Sequence, residues 1–270
     1  MTALPGATWF VGCGHMAGAM VEGWRAGGVN LSSAVAVRPS GHPVEGVRTV
    51  RSLAEAGGEP KLVVLGFKPQ QLDEVATELA PLLSNHTVVV SILAGVEIDS
   101  LWIRFPNAHA IVRAMPNLPV AVRRGVVALY SDDVDDALRQ QLANLFGVLG
   151  YAPWMAEEAG LAAVGSVAGA GPAYVARFVA ALAKAGVARG LSPEMASTAA
   201  LETVLGTMWM AAASGETMDA LARRVASPNG TTEAGLAVLD RDEVLDQLIG
   251  VAIEAAAKRG AELAAAARPH

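Results

Sequence analysis

The sequence predicts two domains: an α/β domain built on a parallel sheet, followed by an all-α domain. The first half alternates short β-rich runs with stretches of helical periodicity, an order typical of a parallel sheet covered by helices on both faces. After about Trp154 no further convincing strand is predicted, and long Ala-rich segments follow. We therefore place the domains at residues 1–154 and 155–270.

The elements are predicted from short apolar runs and from apolar residues at helical spacing. In the first domain, strands are predicted at residues 8–11, 35–37, 62–66, 87–91 and 126–129, and helices at 16–26, 71–83 and 135–149. In the second domain, helical segments are predicted at 157–189, 193–214 and 241–267. Turn residues at Gly190–Pro193 and Ser214–Gly215 separate these segments.

Composition argues against two classes of partner. The chain has 270 residues, 53% of them hydrophobic, with a net charge of −6 and a pI of about 5.4. An acidic chain without a basic stripe does not suit a nucleic-acid partner, and no polybasic segment would hold it on an anionic membrane. Residues 159–176 are uncharged, but their Ala, Gly and Pro content favours a buried core helix over a membrane span.

A single cysteine and five scattered histidines limit the chemistry further. Cys13 alone forms no internal disulfide, which favours a reducing compartment, so we expect a cytoplasmic protein. The histidines show no metal-ligand spacing, so we expect no metal site. The N-terminal segment has no basic region ahead of its apolar run, and we expect no signal peptide.

A glycine-rich turn stands between the first predicted strand and the first predicted helix, at residues 11–17. Its first glycine permits the tight turn, its second leaves room for a pyrophosphate, and the alanine lets helix and strand pack closely. The helix N-terminus then offers free N–H groups to phosphate. This placement predicts a Rossmann-like dinucleotide site, with cofactor contacts from Gly12, Gly14, His15, Met16 and Ala17.

The residues after the second strand indicate the choice of cofactor. An acidic residue there would bind the ribose of NAD, but this chain has Arg38 and Ser40, a guanidinium and a hydroxyl that suit a 2′-phosphate. We therefore expect NADPH, with NADH as the alternative. Two further strand ends add cofactor candidates: Lys68 and Pro69 in the turn at 66–70, and the small residues Ala94 and Gly95, which let a ring approach the backbone.

Two later segments combine rigid turns with polar side chains. Residues 113–119, Arg-Ala-Met-Pro-Asn-Leu-Pro, predict a rigid loop that holds Asn117 between two prolines. Residues 227–236, Ser-Pro-Asn-Gly-Thr-Thr-Glu-Ala-Gly-Leu, predict a turn that opens a helix, where N–H groups and two hydroxyls face an anion. Each segment alone has a plain structural explanation, a rigid connection or a helix cap. The Gly-Pro break at 168–174 is interpreted mainly as packing.

Taken in order, these segments resemble the pyrroline-5-carboxylate reductase family over nearly the whole chain. The matching motifs are GxGxMA, FKPQ, SILAG, RAMPNLP, GxGPAY and SPNGTTEAGL. The resemblance implies an NADPH-binding domain and a helical domain that forms a homodimer by interleaving helices, with higher oligomers left open. It also implies an active site between the domains, near the dimer interface, that reduces a small cyclic imino acid.

The resemblance also implies roles for individual residues. Cofactor contacts would come from Gly12, Gly14, Ala17, Arg38, Ser40, Lys68 and Pro69. Met115 and Asn117 would lie near the nicotinamide in the substrate site, and Ser227, Gly230, Thr231 and Thr232 would hold the substrate carboxylate and ring nitrogen. A protonated imine needs orientation more than a strong acid, so Thr232 is the expected catalytic hydroxyl.

The chain departs from the family pattern at four positions. The family usually has serines at Ala168 and Ala170, glycine at Asn229 and often threonine at Leu118. Asparagine tolerates the left-handed geometry of glycine. These changes leave the cofactor motif intact but could shift substrate preference or weaken activity.

The sequence bears on three other functions. A β-hydroxyacid dehydrogenase would need a catalytic lysine a few residues after the Gly-rich stretch, and none follows Gly171 until Lys184. A reductase of a different cyclic imine remains open, because the motifs specify a ring imine with a carboxylate better than they specify ring size. A non-catalytic NADPH-binding regulator is disfavoured by the intact Thr231–Thr232 pair.

Overall fold

The computed structural model describes residues 3–267 and confirms an α/β region followed by a helical one. The eight strands are β1 Thr8–Val11, β2 Ala34–Val37, β3 Arg48–Val50, β4 Leu62–Leu65, β5 Val88–Ser91, β6 Ala110–Pro116, β7 Gly125–Tyr130 and β8 Gly150–Tyr151. The helices are α1 His15–Ala26, α2 Leu53–Ala56, α3 Leu72–Leu79, α4 Ile98–Arg104, α5 Asp136–Gly147, α6 Ala159–Val164, α7 Gly171–Ala188, α8 Pro193–Ser214, α9 Met218–Val225, α10 Thr231–Leu239 and α11 Val244–Ala267. A π-helical turn at Gly165–Gly169 joins α6 to α7.

The sheet has the order β3-β2-β1-β4-β5-β6-β7-β8 and is parallel except for the β6–β7 pair. Its central strands are buried along their whole length and are mostly apolar, as expected when helices cover both faces. Successive side chains of β1 enter opposite layers of the core: Phe10 packs on one side of the sheet and Trp9 on the other. The strand order reverses between β1 and β4, the point where ligands bind in open α/β sheets.

Residues 113–116 are part of a strand, so the prediction of a rigid loop over 113–119 was wrong. Arg113 and the two prolines made this segment look irregular. Arg113 is neutralised by an ion pair, and Pro116 ends β6, where its missing N–H removes no interior ladder bond. The strand ends at Pro116, and a 3₁₀ helix at Leu118–Val122 begins within the last residues of the motif. The short strands β3 and β8 and the helix α9 were also not predicted.

By compactness the chain divides into two units, one formed by residues 3–170 with 256–267 and the other by residues 171–255. The sheet and its covering helices form the first unit. The second contains α7 to α10 and most of α11, with α7 packed against α8. The division of function at residue 154 stays a prediction.

One continuous helical stretch, 159–188, is long and apolar enough to cross a membrane by length and composition alone. Only 6% of its most apolar window is buried within the chain, so the expectation of a buried core helix was wrong for the single chain. Val175, Phe178 and Leu182 lie exposed along α7 at helical spacing. The sequence identified an apolar surface suited to close helix contact, but not whether the same chain covers it.

Candidate active site

The turn between β1 and α1 is shaped by the absence of two side chains. Gly12 has a φ of +77°, and a Cβ there would lie 2.7 Å from the backbone nitrogen of Phe67. Gly14 precedes α1 with no side-chain cap, and a Cβ there would have no neighbour within 4 Å. The turn therefore packs tightly against the β4 end on one side and leaves the N-terminus of α1 open on the other.

The open side of this turn faces a cleft of about 900 Å³. Six of the predicted cofactor residues line it: Gly12, Gly14, His15, Arg38, Ser40 and Lys68. The predicted residues Met16, Ala17, Pro69, Ala94 and Gly95 are not among its lining residues. Ala17 is instead buried and lies where it would contact a Cβ on Gly66, which is the close packing that the motif predicts.

The residues around the cleft fit a phosphorylated dinucleotide. The first turn of α1 contains no acidic side chain, so its backbone N–H groups and positive dipole end are available to a pyrophosphate. Arg38 and Lys68 add positive charge, and Ser40 adds a hydroxyl. A cleft of this volume beside an uncapped helix N-terminus suits a dinucleotide.

Cys13 lies inside the glycine turn but is chemically quiet. Its side chain is buried, and burial raises the pKa of its thiol from 9.0 to about 11, with the Arg38 guanidinium opposing the rise only in part. The neutral thiol therefore persists through the physiological range, and we assign it to packing.

This shift predicts a pH dependence of stability. The unfolded thiol ionises near pH 9 and the folded thiol near pH 11, so between these values the folded state binds more protons, and raising the pH favours unfolding. We expect up to about 3 kcal/mol to be lost across this window. Urea unfolding at pH 8.5 and 10.5 measures it, with Cys13→Ala as the control that removes only this titration. Equal pH slopes for both proteins would contradict the assignment.

Arg113 and Met115 of β6, with Asn117 directly after the strand, hold the segment that leads into the helical half. The Arg113 Nη1 lies 2.6 Å from the Glu158 Oε1, which also accepts the N–H of Ile98 at 2.7 Å. Met115 lies where it would contact a Cβ on Gly165. The Asn117 amide donates to the Ala168 carbonyl at 3.0 Å. Together, the end of β6 and the residue after it position residues 158–168.

Asn117 is buried, and both ends of its amide are used within the chain. Its Nδ2 donates to Ala168, and its Oδ1 accepts the N–H of Val126 at 2.8 Å. The predicted placement beside a nicotinamide stays a prediction, but the side chain acts as a clamp between β7 and the π-helical turn. Such turns within α-helices occur frequently at functional sites.

Glu158→Gln is expected to destabilise the protein by about 2–3 kcal/mol, because it leaves the Arg113 guanidinium uncompensated. The figure lies below that for a fully buried pair, since the Glu158 side chain is 26% exposed and the Arg113 side chain 10%. Chemical unfolding measures the change. Glu157→Gln, an exposed neighbour, is the matched control, and equal midpoints for the two variants would remove the positioning role of Glu158.

The segment 227–232 forms the predicted turn and opens α10. Asn229 has a φ of 57°, the left-handed geometry expected at this position. Gly230 precedes the helix with no side-chain cap, and a Cβ there would lie 2.8 Å from the Ser227 carbonyl oxygen. Thr231 and Thr232 are exposed in the first turn. The Glu233 carboxylate accepts the Asn229 N–H at 2.6 Å, which ties the turn together.

The residues near these sites that were not predicted include Arg51, Ser52 and Glu158. Arg51 and Ser52 line the cleft and follow β3. Site residues were predicted from the ends of predicted strands, and β3 was not predicted. Glu158 lies near the start of the predicted helical segment 157–189 and was given no role. Its signal was available, because it is the last acidic residue before the uncharged stretch at 159–176.

The comparisons with known proteins agree with this architecture. Residues 158–263 match a family model described as pyrroline-5-carboxylate reductase dimerisation, and residues 9–95 match one described as NADP oxidoreductase, coenzyme F420-dependent. The pyrroline-5-carboxylate reductase of Pseudomonas aeruginosa is 38% identical over 262 residues, which cover 94% of this chain and 96% of that protein. The pyrroline-5-carboxylate reductase 2 of Bacillus subtilis is 32% identical, with 94% of each chain covered.

Two solved structures are similar along nearly the whole chain. The pyrroline-5-carboxylate reductase from Coxiella burnetii has a TM-score of 0.87 at 30% identity and covers 96% of this chain and 99% of its own. The Plasmodium falciparum pyrroline carboxylate reductase with NADP bound has a TM-score of 0.85 at 25% identity, covering 96% and 98%.

The sheet, the cleft at its switch point and the family match to residues 9–95 define an oxidoreductase that uses a nicotinamide cofactor. With the relatives above, the class is that of the oxidoreductases acting on C=N bonds. The chain belongs to the pyrroline-5-carboxylate reductase family, and it carries the dimerisation domain of that family.

Proposed function

We propose that the protein reduces 1-pyrroline-5-carboxylate to L-proline with NADPH, a step of proline biosynthesis. The observation that carries the proposal is a pair of uncapped helix N-termini, α1 at the dinucleotide cleft and α10 at the Thr231–Thr232 pair. The first suits a pyrophosphate and the second suits a small carboxylate. The names of the relatives support the substrate, and the NADP bound to the Plasmodium falciparum protein supports the cofactor.

The reaction joins the protonated imine with NADPH and yields proline and NADP⁺. When bound, the reduced nicotinamide supplies the hydride. The hydride adds to the ring carbon of the C=N bond, and the electron pair of that bond moves onto the nitrogen, which keeps its proton. Because the substrate arrives as the iminium, the protein needs to orient a cation and an anion in one small ring rather than to supply a strong acid.

The N-terminus of α10 with the turn before it, residues 227–232, has the groups that this orientation requires. We call this segment the α10 entrance. We assign the substrate carboxylate to the N–H groups that follow Gly230, with Ser227 and Thr231 beside them. The Thr232 hydroxyl accepts a hydrogen bond from the iminium N–H. The Glu233 carboxylate accepts the Asn229 N–H, which engages it in closing the turn.

On the cofactor side, we assign the 2′-phosphate to Arg38 and Ser40 and the pyrophosphate to the α1 N-terminus with His15. Lys68 reaches the ribose or phosphate, and Pro69 fixes its turn. Ala94 and Gly95 lie after β5, and Gly95 has a φ of +77°. Because both residues are small, we expect the nicotinamide ring to approach the backbone there. Asn117 fixes the backbone beside Met115 by its two hydrogen bonds.

We propose a cytoplasmic homodimer whose helical domain, residues 155–270, provides the shared surface and whose cofactor domain is residues 1–154. The stripe of Val175, Phe178 and Leu182 on α7 supports this, because apolar residues exposed along a soluble helix are normally covered by a partner. Membership of a family with a dimerisation domain supports a second copy as that partner.

The test is NADPH oxidation on addition of 1-pyrroline-5-carboxylate, with product identified as proline by mass spectrometry. The six-membered ring analogue and a reaction without imine are the controls. Turnover with the five-membered ring above both controls is expected. Turnover with the six-membered ring alone would transfer the proposal to another cyclic imino acid, and no turnover with either would refute it.

A further inference from the structure

A second arginine stands at the cofactor cleft, and the motif at the end of β2 does not include it. Arg51 follows β3 as Arg38 follows β2, and the last residues of these strands, Val37 and Val50, are paired in register. The Arg38 N–H donates to the Val50 carbonyl at 2.8 Å. The two arginines therefore leave the sheet side by side at the carboxyl ends of neighbouring parallel strands, and both line the cleft.

The loop after β2 lies against both side chains. The Arg38 Nη1 donates to the His42 carbonyl at 3.2 Å. The Arg51 Nε lies 2.7 Å from the position of a Cβ on Gly41, so its guanidinium rests on the backbone of that glycine. Gly41 has a φ of +69°, and its N–H closes the turn onto the Arg38 carbonyl at 2.8 Å. A glycine at this position is what allows the second guanidinium to approach.

Within residues 3–267, neither guanidinium forms an ion pair with a carboxylate. The nearest acid along the chain, Glu55, accepts the Arg51 backbone N–H at 3.2 Å and the Ser52 hydroxyl at 3.1 Å, so it serves the start of α2. Glu74 and Glu78 also line the cleft. Two unpaired guanidinium groups beside one loop form a site for a doubly charged anion.

We infer that Arg51 binds the 2′-phosphate of NADPH together with Arg38, so that two guanidinium groups set the preference for NADPH over NADH. The inference rests on the proposed use of NADPH and assigns a specificity residue to it. NADH has a hydroxyl in place of this phosphate, so Arg51 contributes little to NADH binding.

The experiment compares the dissociation constants of NADPH and NADH for wild type and Arg51→Gln by calorimetry. We expect a rise of about tenfold to a hundredfold for NADPH, because charge-assisted hydrogen bonds are lost. For NADH we expect less than about a twofold change, within the range of an exposed substitution. Arg51→Lys keeps the positive charge but loses the bidentate hydrogen-bonding geometry of the guanidinium. We expect its dissociation constant for NADPH to lie between those of wild type and Arg51→Gln. Lys61→Gln is the matched control, because it removes one exposed positive charge just before the N-terminal end of β4, whereas the cleft lies at the carboxyl ends of the strands. It should leave both dissociation constants unchanged.

Adenosine 2′,5′-bisphosphate and 5′-AMP separate this inference from the reaction. If the protein fails to reduce the imine but Arg51→Gln still weakens the bisphosphate and spares AMP, the inference stands without the proposed function. If wild type reduces the imine and Arg51→Gln leaves the NADPH constant unchanged, or weakens both cofactors equally, the inference is overturned and the proposed function stands. Equal binding of NADPH and NADH by wild type would also overturn it.

Discussion

Replacing Gly12 with alanine is expected to destabilise the protein by about 2–5 kcal/mol. A left-handed backbone costs a non-glycine residue about 1–2 kcal/mol, and overpacking a filled site costs about 1–3 kcal/mol more. Both apply, because Gly12 has a φ of +77° and its Cβ would lie 2.7 Å from backbone of Phe67. Urea unfolding of the protein without cofactor measures the loss.

Gly14→Ala separates folding from binding at the same turn. Its φ of −81° suits alanine, and a Cβ would have no protein neighbour within 4 Å, so the unfolding midpoint should stay near that of wild type. The methyl group would occupy the space assigned to the pyrophosphate, and we expect NADPH to bind about tenfold or more weakly. An unchanged midpoint for Gly12→Ala would contradict the account of the turn. Unchanged affinity for Gly14→Ala would contradict the placement of the pyrophosphate.

Thr232→Ala is expected to lower kcat/KM for 1-pyrroline-5-carboxylate by about tenfold to a hundredfold. A hydrogen bond to a charged group contributes about 1.5–3 kcal/mol, and the iminium nitrogen carries charge in the substrate. Steady-state kinetics at saturating NADPH measure the change, while the KM for NADPH should stay constant.

Two variants control for this substitution. Thr232→Ser keeps the hydroxyl and should recover most of the activity. Thr77→Ala removes an exposed hydroxyl on α3 that donates to the Asp73 carbonyl at 2.8 Å, and it should leave the kinetics unchanged. Full activity of Thr232→Ala would remove the hydroxyl from the reaction.

The parts of the fold that were predicted are those in which local pattern and packing agree. β1 was predicted at its observed bounds, and α8 likewise, because an apolar run between turn residues and a helix between Ser192 and Gly215 carry their own signals. β6 was missed because its arginine satisfies its charge 45 residues away, at Glu158. An ion pair between residues far apart in the chain cannot be recognised from a short stretch of sequence.

The residues of the candidate site were likewise predicted only where local sequence signals point to them. Residues after predicted strands, such as Arg38 and Lys68, were found because the ends of parallel strands meet at one edge. Arg51 was missed because the strand before it, β3, has only three residues and the first of them is exposed. Such a strand is too short and too polar to be recognised from hydrophobic periodicity. The burial of residues 159–176 was misjudged for a different reason: the sequence shows that the surface is apolar, but not whether the same chain covers it.

The central claim is that the α10 entrance holds the cyclic acid while NADPH reduces it. A crystal structure of the assembled protein with NADPH and L-proline tests this most directly. We expect the proline carboxylate on the N–H groups of Thr231 and Thr232, with the ring nitrogen in hydrogen-bond reach of the Thr232 hydroxyl. We also expect the former imine carbon about 3–3.5 Å from the nicotinamide, the separation of a reacting pair. Proline bound elsewhere, with the turn remote from the cofactor of either subunit, would contradict it.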